Sequence, residues 1–136
     1  MPNENREHLS RYRLEQSMDC IESSKLLFDK QRYKGSINRS YYATFHAIRS
    51  VLAKPAIDFK RHKDVIAYFN KEYVKTEIFS RELGKLIGEI QRIREKSDYD
   101  DFYIASKEDA EKQLETAKLV VEKVKIYLKE KNVDFE

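Results

Sequence analysis

Glycine and proline are scarce in this chain, with three and two residues among 136. Strands at short spacing need frequent turn residues, so the composition argues against an all-β fold and for a few long elements. Three scattered glycines cannot build a phosphate-binding loop or a dinucleotide fingerprint. One cysteine, Cys20, rules out an internal disulfide and a cysteine cluster for zinc. It lies in an apolar-periodic stretch, where a free thiol behaves as a small buried hydrophobe. No apolar run nears the ~20 residues that span a bilayer. The N-terminal stretch MPNENREHLSRYR lacks the apolar centre of a signal peptide, so the expected compartment is the cytoplasm. Excess charge is also small. The formal net charge is +3, with acids and bases alternating, which reads mostly as solvated helix faces and permits nucleic-acid binding without demanding it.

What is present is a foldable mixture of 40% apolar and 38% charged residues. Its length suffices to bury a core unaided, and residues 1–136 read as a single domain. The expected fold is all-α, an up-down bundle of about five helices. The first runs from about Asn5 to Arg32, with Leu9, Tyr12, Ile21, Leu27 and Phe28 on its apolar side. Gly35 is expected as a left-handed break, and Ser36 as the N-cap of a second helix that Pro55 stops near Lys54. Ile37, Tyr41, Phe45, Ile48 and Leu52 form a continuous apolar ridge along it. A third helix spans about Arg61–Lys75. Ser80 caps a fourth that runs to about Lys96, followed by a loop SDYDDFYIAS. Ser106 with Asp109 makes a capping box for the fifth, where Ala110, Leu114, Ala117, Val121, Val124 and Leu128 give a bundle seam. The tail KNVDFE is expected to fray.

The second helix carries the chemistry. Arg39 and His46 are seven positions apart, which at ~100° per residue places them nearly in line, ~10 Å apart along the axis. Tyr42 falls between them and Arg49 one turn beyond. Arg39 and His46 lie away from the apolar ridge. A third stripe of small residues, Ser36, Ser40, Ala43, Ala47 and Ser50, lets another backbone approach closely. That backbone belongs either to this chain or to a second copy.

The string SINRSYYATFHAIRSVL resembles the central helix of the HEPN domain family (higher eukaryotes and prokaryotes nucleotide-binding). The resemblance continues through RHKDVIAYFNKEYVKTEIFSRELGKLIGEIQRIREKSDYDDF, so it covers about Tyr33 to Asp101. It points to the small stand-alone prokaryotic members, and it implies a helical bundle that usually dimerises. Many members are ribonucleases whose motif is Arg, four to six residues, then His. Arg39 and His46 fit the six-residue form. Ser40 departs from the Asn, Asp or His that often follows the arginine. Ile48 stands where members paired with a nucleotidyltransferase antitoxin often carry Tyr, so modification of that tyrosine is not carried over.

The reaction implied by the resemblance is metal-independent RNA cleavage, in a toxin–antitoxin or defence setting, with no cofactor. The 2′-hydroxyl attacks phosphorus and must lose a proton, while the leaving 5′-oxygen must gain one. Histidine suits both roles near neutrality. A guanidinium suits the charge that builds on the phosphoryl oxygens. A homodimer with opposed Arg39/His46 faces would supply two of each in one cleft. Asn38 and Tyr42 would then orient phosphate or base, Arg49 would bind backbone phosphate, and His62 would join if its loop folds over the cleft. Ordinary structural roles compete for each: interface packing for Tyr42, a surface ion pair for Arg49, a local hydrogen bond for His62. His8 is expected on the surface. Asp98, Asp100 and Asp101 lack the glycine and glutamate of a calcium loop, so no metal site is expected, and these aspartates are expected to order the loop or to pair with Arg92 or Arg94. The competing function is a non-catalytic module that holds a nucleotide or a partner nucleotidyltransferase through the same face.

Overall fold

A computed structural model describes residues 3–131. It contains five α-helices: α1 Asn3–Asp29, α2 Tyr33–Ala53, α3 His62–Phe69, α4 Arg81–Tyr99 and α5 Lys107–Glu130. A π-helical turn, Asn70–Val74, continues α3. No strand occurs among the described residues, so the all-α expectation holds. The tail expected to fray lies, beyond Lys131, outside the described residues.

The central rod is α2, which packs against α1, α3, α4 and α5. Its ridge is buried as the spacing requires: Ile37, Tyr41, Phe45, Ile48 and Leu52 are all 4% exposed or less. Each such apolar side chain contributes about 1.5–3 kcal/mol on full burial. The α5 seam of Ala110, Leu114, Ala117, Val121, Val124 and Leu128 is likewise buried. Ser80 and Ser106 cap α4 and α5 through their hydroxyls, accepting from the backbone N–H of Leu83 and Asp109. Among the described residues, no helix is long and apolar enough to cross a membrane.

Two boundaries and one buried face differ from the sequence reading. The break between α1 and α2 is at Gln31, with φ 61°, and Gly35 sits inside α2 with an ordinary φ. Arg32 N–H donates to Leu27 O at 2.7 Å and Gln31 N–H to Phe28 O at 2.9 Å, the paired bonds of a Schellman C-cap. Position 35 is instead a close approach: a Cβ there would lie 3.2 Å from Leu27 Cδ1, so a larger residue would require that side chain to shift. Ser36 is therefore no N-cap; it is fully buried against α1. α4 also runs on to Tyr99, taking Ser97, Asp98 and Tyr99 out of the expected loop.

The third difference is in α1. Tyr12, expected inward, is 57% exposed. The buried face carries Ser10, Arg13, Leu14, Ser17, Cys20, Ile21 and Ser24 instead. The serines form a ladder onto α2. Ser10 Oγ donates to Ser50 O at 2.7 Å, Ser17 Oγ to Ala43 O at 2.6 Å and Ser24 Oγ to Ser36 O at 2.8 Å. Steps of seven along α1 meet steps of seven back along α2, so the two helices are antiparallel. The small stripe on α2 is thus covered by this chain's own α1, which settles the alternative left open by the sequence. Ser40, at 0% exposure, also belongs to it, with its Oγ 2.8 Å from that of Ser24.

Candidate functional site

With its ridge and its small stripe both covered, α2 has one face left. That face carries Asn38, Arg39, Tyr42, His46 and Arg49, all half-buried. Arg39 is held by neutral groups. Its Nη2 and Nε donate to Asn38 Oδ1 at 2.8 and 3.2 Å, and the guanidinium lies 5.0 Å from the centre of the Tyr42 ring. Among the described residues no carboxylate pairs with it.

His46 lies between aromatic walls, its ring centre 6.1 Å from Tyr42 and 6.0 Å from Phe45. Its Nδ1 is buried without a hydrogen-bond partner. Burial first, then the charges of Arg49 and Arg39, push its pKa below the ordinary histidine value, with smaller contributions from His62 and Arg13. The neutral imidazole is therefore favoured.

Arg49 is more compensated than Arg39. Its Nη2 is 2.9 Å from Asp58 Oδ2, and its guanidinium lies 5.8 Å from the Phe45 ring. The same Asp58 oxygen is 3.6 Å from Nη2 of Arg13, which reaches across from α1 and donates through Nη1 to Arg49 O at 3.0 Å. One carboxylate thus serves two arginines, and a net positive charge remains. Burial and then Arg49 lower the Arg13 pKa, with Asp58 opposing.

His62 does fold over this face. As the first residue of α3 it stacks on Phe45 at 3.9 Å and 26° and meets Tyr42 edge-on at 5.8 Å. Its Nδ1 is 3.1 Å from Tyr41 Oη. Burial, then Arg94 and Arg49, lower its pKa. Burial also holds the Tyr41 hydroxyl protonated, with its pKa pushed up to about 12.

Three participants were missed by sequence reasoning, Arg94, Asp58 and Arg13. Arg94, from α4, lies 4.7 Å from the Tyr41 ring and 5.7 Å from the Tyr42 ring, and its Nη2 donates to Tyr42 Oη at 3.4 Å. Its Nε is 2.9 Å from Asp98 Oδ2, though the N–H is not aimed there. The pairing of Asp98 with Arg94 was legible as an i,i+4 spacing; the docking of Arg94 on α2 was not. Asp100 accepts from Phe102 N–H and orders the loop. Among the described residues no three His, Cys, Asp or Glu side chains cluster as metal ligands. His8 is exposed on α1. Cys20 is buried and free, its thiol pKa raised by burial against the opposing charge of Arg39.

Two imidazoles, several guanidiniums and two phenols on one side of a helical bundle are the parts for proton transfer at a phosphate ester. The chain belongs to the HEPN domain family, whose model matches residues 10–127. It is 32% identical over 120 residues to "Putative toxin MJ0142" of Methanocaldococcus jannaschii, covering 88% of this chain and 82% of that one. A second protein of that organism, "Putative toxin MJ0605", is 28% identical over 86% of this chain and 87% of its own. A "UPF0332 protein" of Thermotoga maritima is 33% identical over 69% of this chain and 71% of its own.

Proposed function

We propose that this HEPN protein is a metal-independent endoribonuclease, the toxin component of a toxin–antitoxin or defence system, acting as a homodimer through Arg39 and His46. The observation that carries this reading is the state of Arg39. A guanidinium held by neutral groups alone, the Asn38 amide oxygen, the Tyr42 ring and the Cys20 thiol, keeps its charge for a phosphate, and it shares the open face of α2 with a histidine biased toward its neutral, proton-accepting form. The names of the two Methanocaldococcus relatives support the toxin setting.

In this reading His46 takes the proton of the 2′-hydroxyl. Arg39 neutralises charge that grows on the phosphoryl oxygens as the 2′-oxygen bonds to phosphorus. Asn38 fixes the guanidinium, and Tyr42 offers an aromatic face for an unpaired base. Arg49, shared with Asp58, adds to the field and gives a salt-sensitive contact to the backbone. Two-fold pairing of the open faces would enclose the phosphate.

The test is incubation of purified protein with single-stranded RNA in EDTA. Products ending in 2′,3′-cyclic phosphate are expected, and Arg39→Ala and His46→Ala should form them about 10²–10⁴-fold more slowly with helicity retained. Variants that cut as fast as the parent would overturn the assignment. One observation favours the second reading, a nucleotide-binding or nucleotidyltransferase-partner module. Ser40 is buried against α1, so the polar group that often follows the motif arginine is absent from the open face. Saturable binding of ATP or GTP, or co-purification with a nucleotidyltransferase, without RNA cleavage would support that alternative.

A further inference from the structure

The open face holds a second histidine from outside the Arg–His motif. His46 and His62 flank the same two rings, with His46 6.1 Å and His62 5.8 Å from Tyr42, and 6.0 Å and 3.9 Å respectively from Phe45. Their environments differ in one respect that matters for proton traffic. His46 Nδ1 is buried with no partner, so nothing at that nitrogen stabilises the cation before substrate binds, and His46 enters the reaction neutral. His62 Nδ1 meets the hydroxyl of Tyr41. A hydroxyl can donate to a bare nitrogen and accept from a protonated one. It therefore holds the ring in place in either protonation state, and it leaves Nε2 as the nitrogen free for a substrate.

We infer that His62 is the general acid of the ribonuclease site, donating through Nε2 to the leaving 5′-oxygen, with Tyr41 as its positioning residue and His46 as the base. This rests on the ribonuclease reading above. The step balances without a co-reactant. His46 removes the 2′-hydroxyl proton, the 2′-oxygen bonds to phosphorus, the bond from phosphorus to the 5′-oxygen breaks, and His62 supplies the proton to that oxygen. Exchange with water then resets both imidazoles. The groups facing His62 are Tyr41, Tyr42 and Arg49 from α2 and Arg94 from α4. The two guanidiniums oppose its protonation, and a bound phosphate would offset them. Acid and base are then both present in one protomer, and a second copy is not required to supply the acid.

The test uses two matched RNAs that differ at one scissile phosphate, with either oxygen or sulfur as the 5′ leaving atom. A thiolate, with a conjugate-acid pKa near ~8.5, leaves without a proton donor. His62→Asn keeps a hydrogen-bonding group toward Tyr41 and removes Nε2. It should slow oxygen-leaving cleavage by about 10²-fold or more, in the range of general-acid contributions, and should cut the sulfur substrate at close to the parent rate. Tyr41→Phe should show the same rescue with a smaller initial loss. His46→Ala should be slow on both. If His62→Asn is misfolded by circular dichroism, the Tyr41→Phe pair of rates decides. Oxygen-leaving cleavage at the parent rate in His62→Asn would overturn the inference and point to His46 of a second copy as the acid. A deficit of equal size on both substrates would overturn it in favour of a structural role for His62. A parent protein that leaves both RNAs intact would remove the ribonuclease reading and this inference with it.

Discussion

The two polar faces of α2 differ in how completely they are satisfied. Toward α1, the hydroxyls of Ser10, Ser17, Ser24 and Ser36 end on backbone carbonyls, and those of Ser24 and Ser40 on one another. Every one of these serines is 0% exposed. On the open side, His46 Nδ1 and Arg49 Nε are buried and unpartnered, Arg39 has no carboxylate, and one aspartate is divided between two arginines. Polarity on the first face is spent on holding two helices together. On the second it is left unspent, which is expected where a ligand completes the set.

Exchange of a residue on each face should break different properties. The largest effect is expected on the open face. Arg39→Ala or His46→Ala should reduce RNA cleavage by about 10²–10⁴-fold, the usual worth of a positioned acid–base or charge-stabilising group, while the urea midpoint stays close to the parent. Next comes Ser40→Asn, which installs a residue that many family members carry. With Ser40 fully buried against Ser24, overpacking should cost about 1–3 kcal/mol, read as a lower urea midpoint. An unchanged midpoint would show that α1 yields to the larger side chain. Ser24→Ala removes a hydroxyl that meets Ser36 O, Ser36 Oγ and Ser40 Oγ and should cost about 1–3 kcal/mol, as expected when buried polar partners are left short, with cleavage per folded molecule unaffected.

The smallest effect is on pH. His46 and His62 have folded pKa values below the ordinary ~6.5. The unfolded chain therefore binds protons first as the pH falls. The stability these groups contribute is fully present above about 6.5 and is lost below it, toward their folded values. Urea midpoints measured between about pH 7.5 and 5.5 should fall, and fall less in a His46→Gln variant. Tyr41, raised to about 12, gives the opposite arm: stability declines as the pH climbs past its unfolded value of ~10.

Much of this was readable in the sequence because it depends on local periodicity. The ridge of α2, the seam of α5 and the serine caps of α4 and α5 follow from spacing and cap chemistry alone. Gly35 was misread because left-handed backbone is ordinarily glycine's, yet the Schellman bonds after α1 hold Gln31 in that conformation. The inward face of α1 was misread for a related reason. An apolar search passes over serine, so the regular recurrence of Ser10, Ser17 and Ser24 went unweighed although it was in plain view. Arg39, Tyr42, His46 and Arg49 share a face by helix geometry. Their surroundings, Arg94 over the tyrosines, Asp58 between two arginines and His62 against Tyr41, come from three other segments. No spacing rule joins residues so distant in the chain.

The serine ladder also limits how α1 can be repositioned. Its rungs repeat every seven residues, so a slip of one residue swings each hydroxyl about 100° from its carbonyl. Alignment returns only after a full repeat, roughly 10 Å along the axis, with one rung hanging off the end. The joint behaves as a coarse-toothed ratchet: a single residue inserted between Arg13 and Ser17, with the Ser17 and Ser24 rungs kept, would leave α1 helical yet swing Arg13 about 100° away from Asp58, detuning the open face from behind.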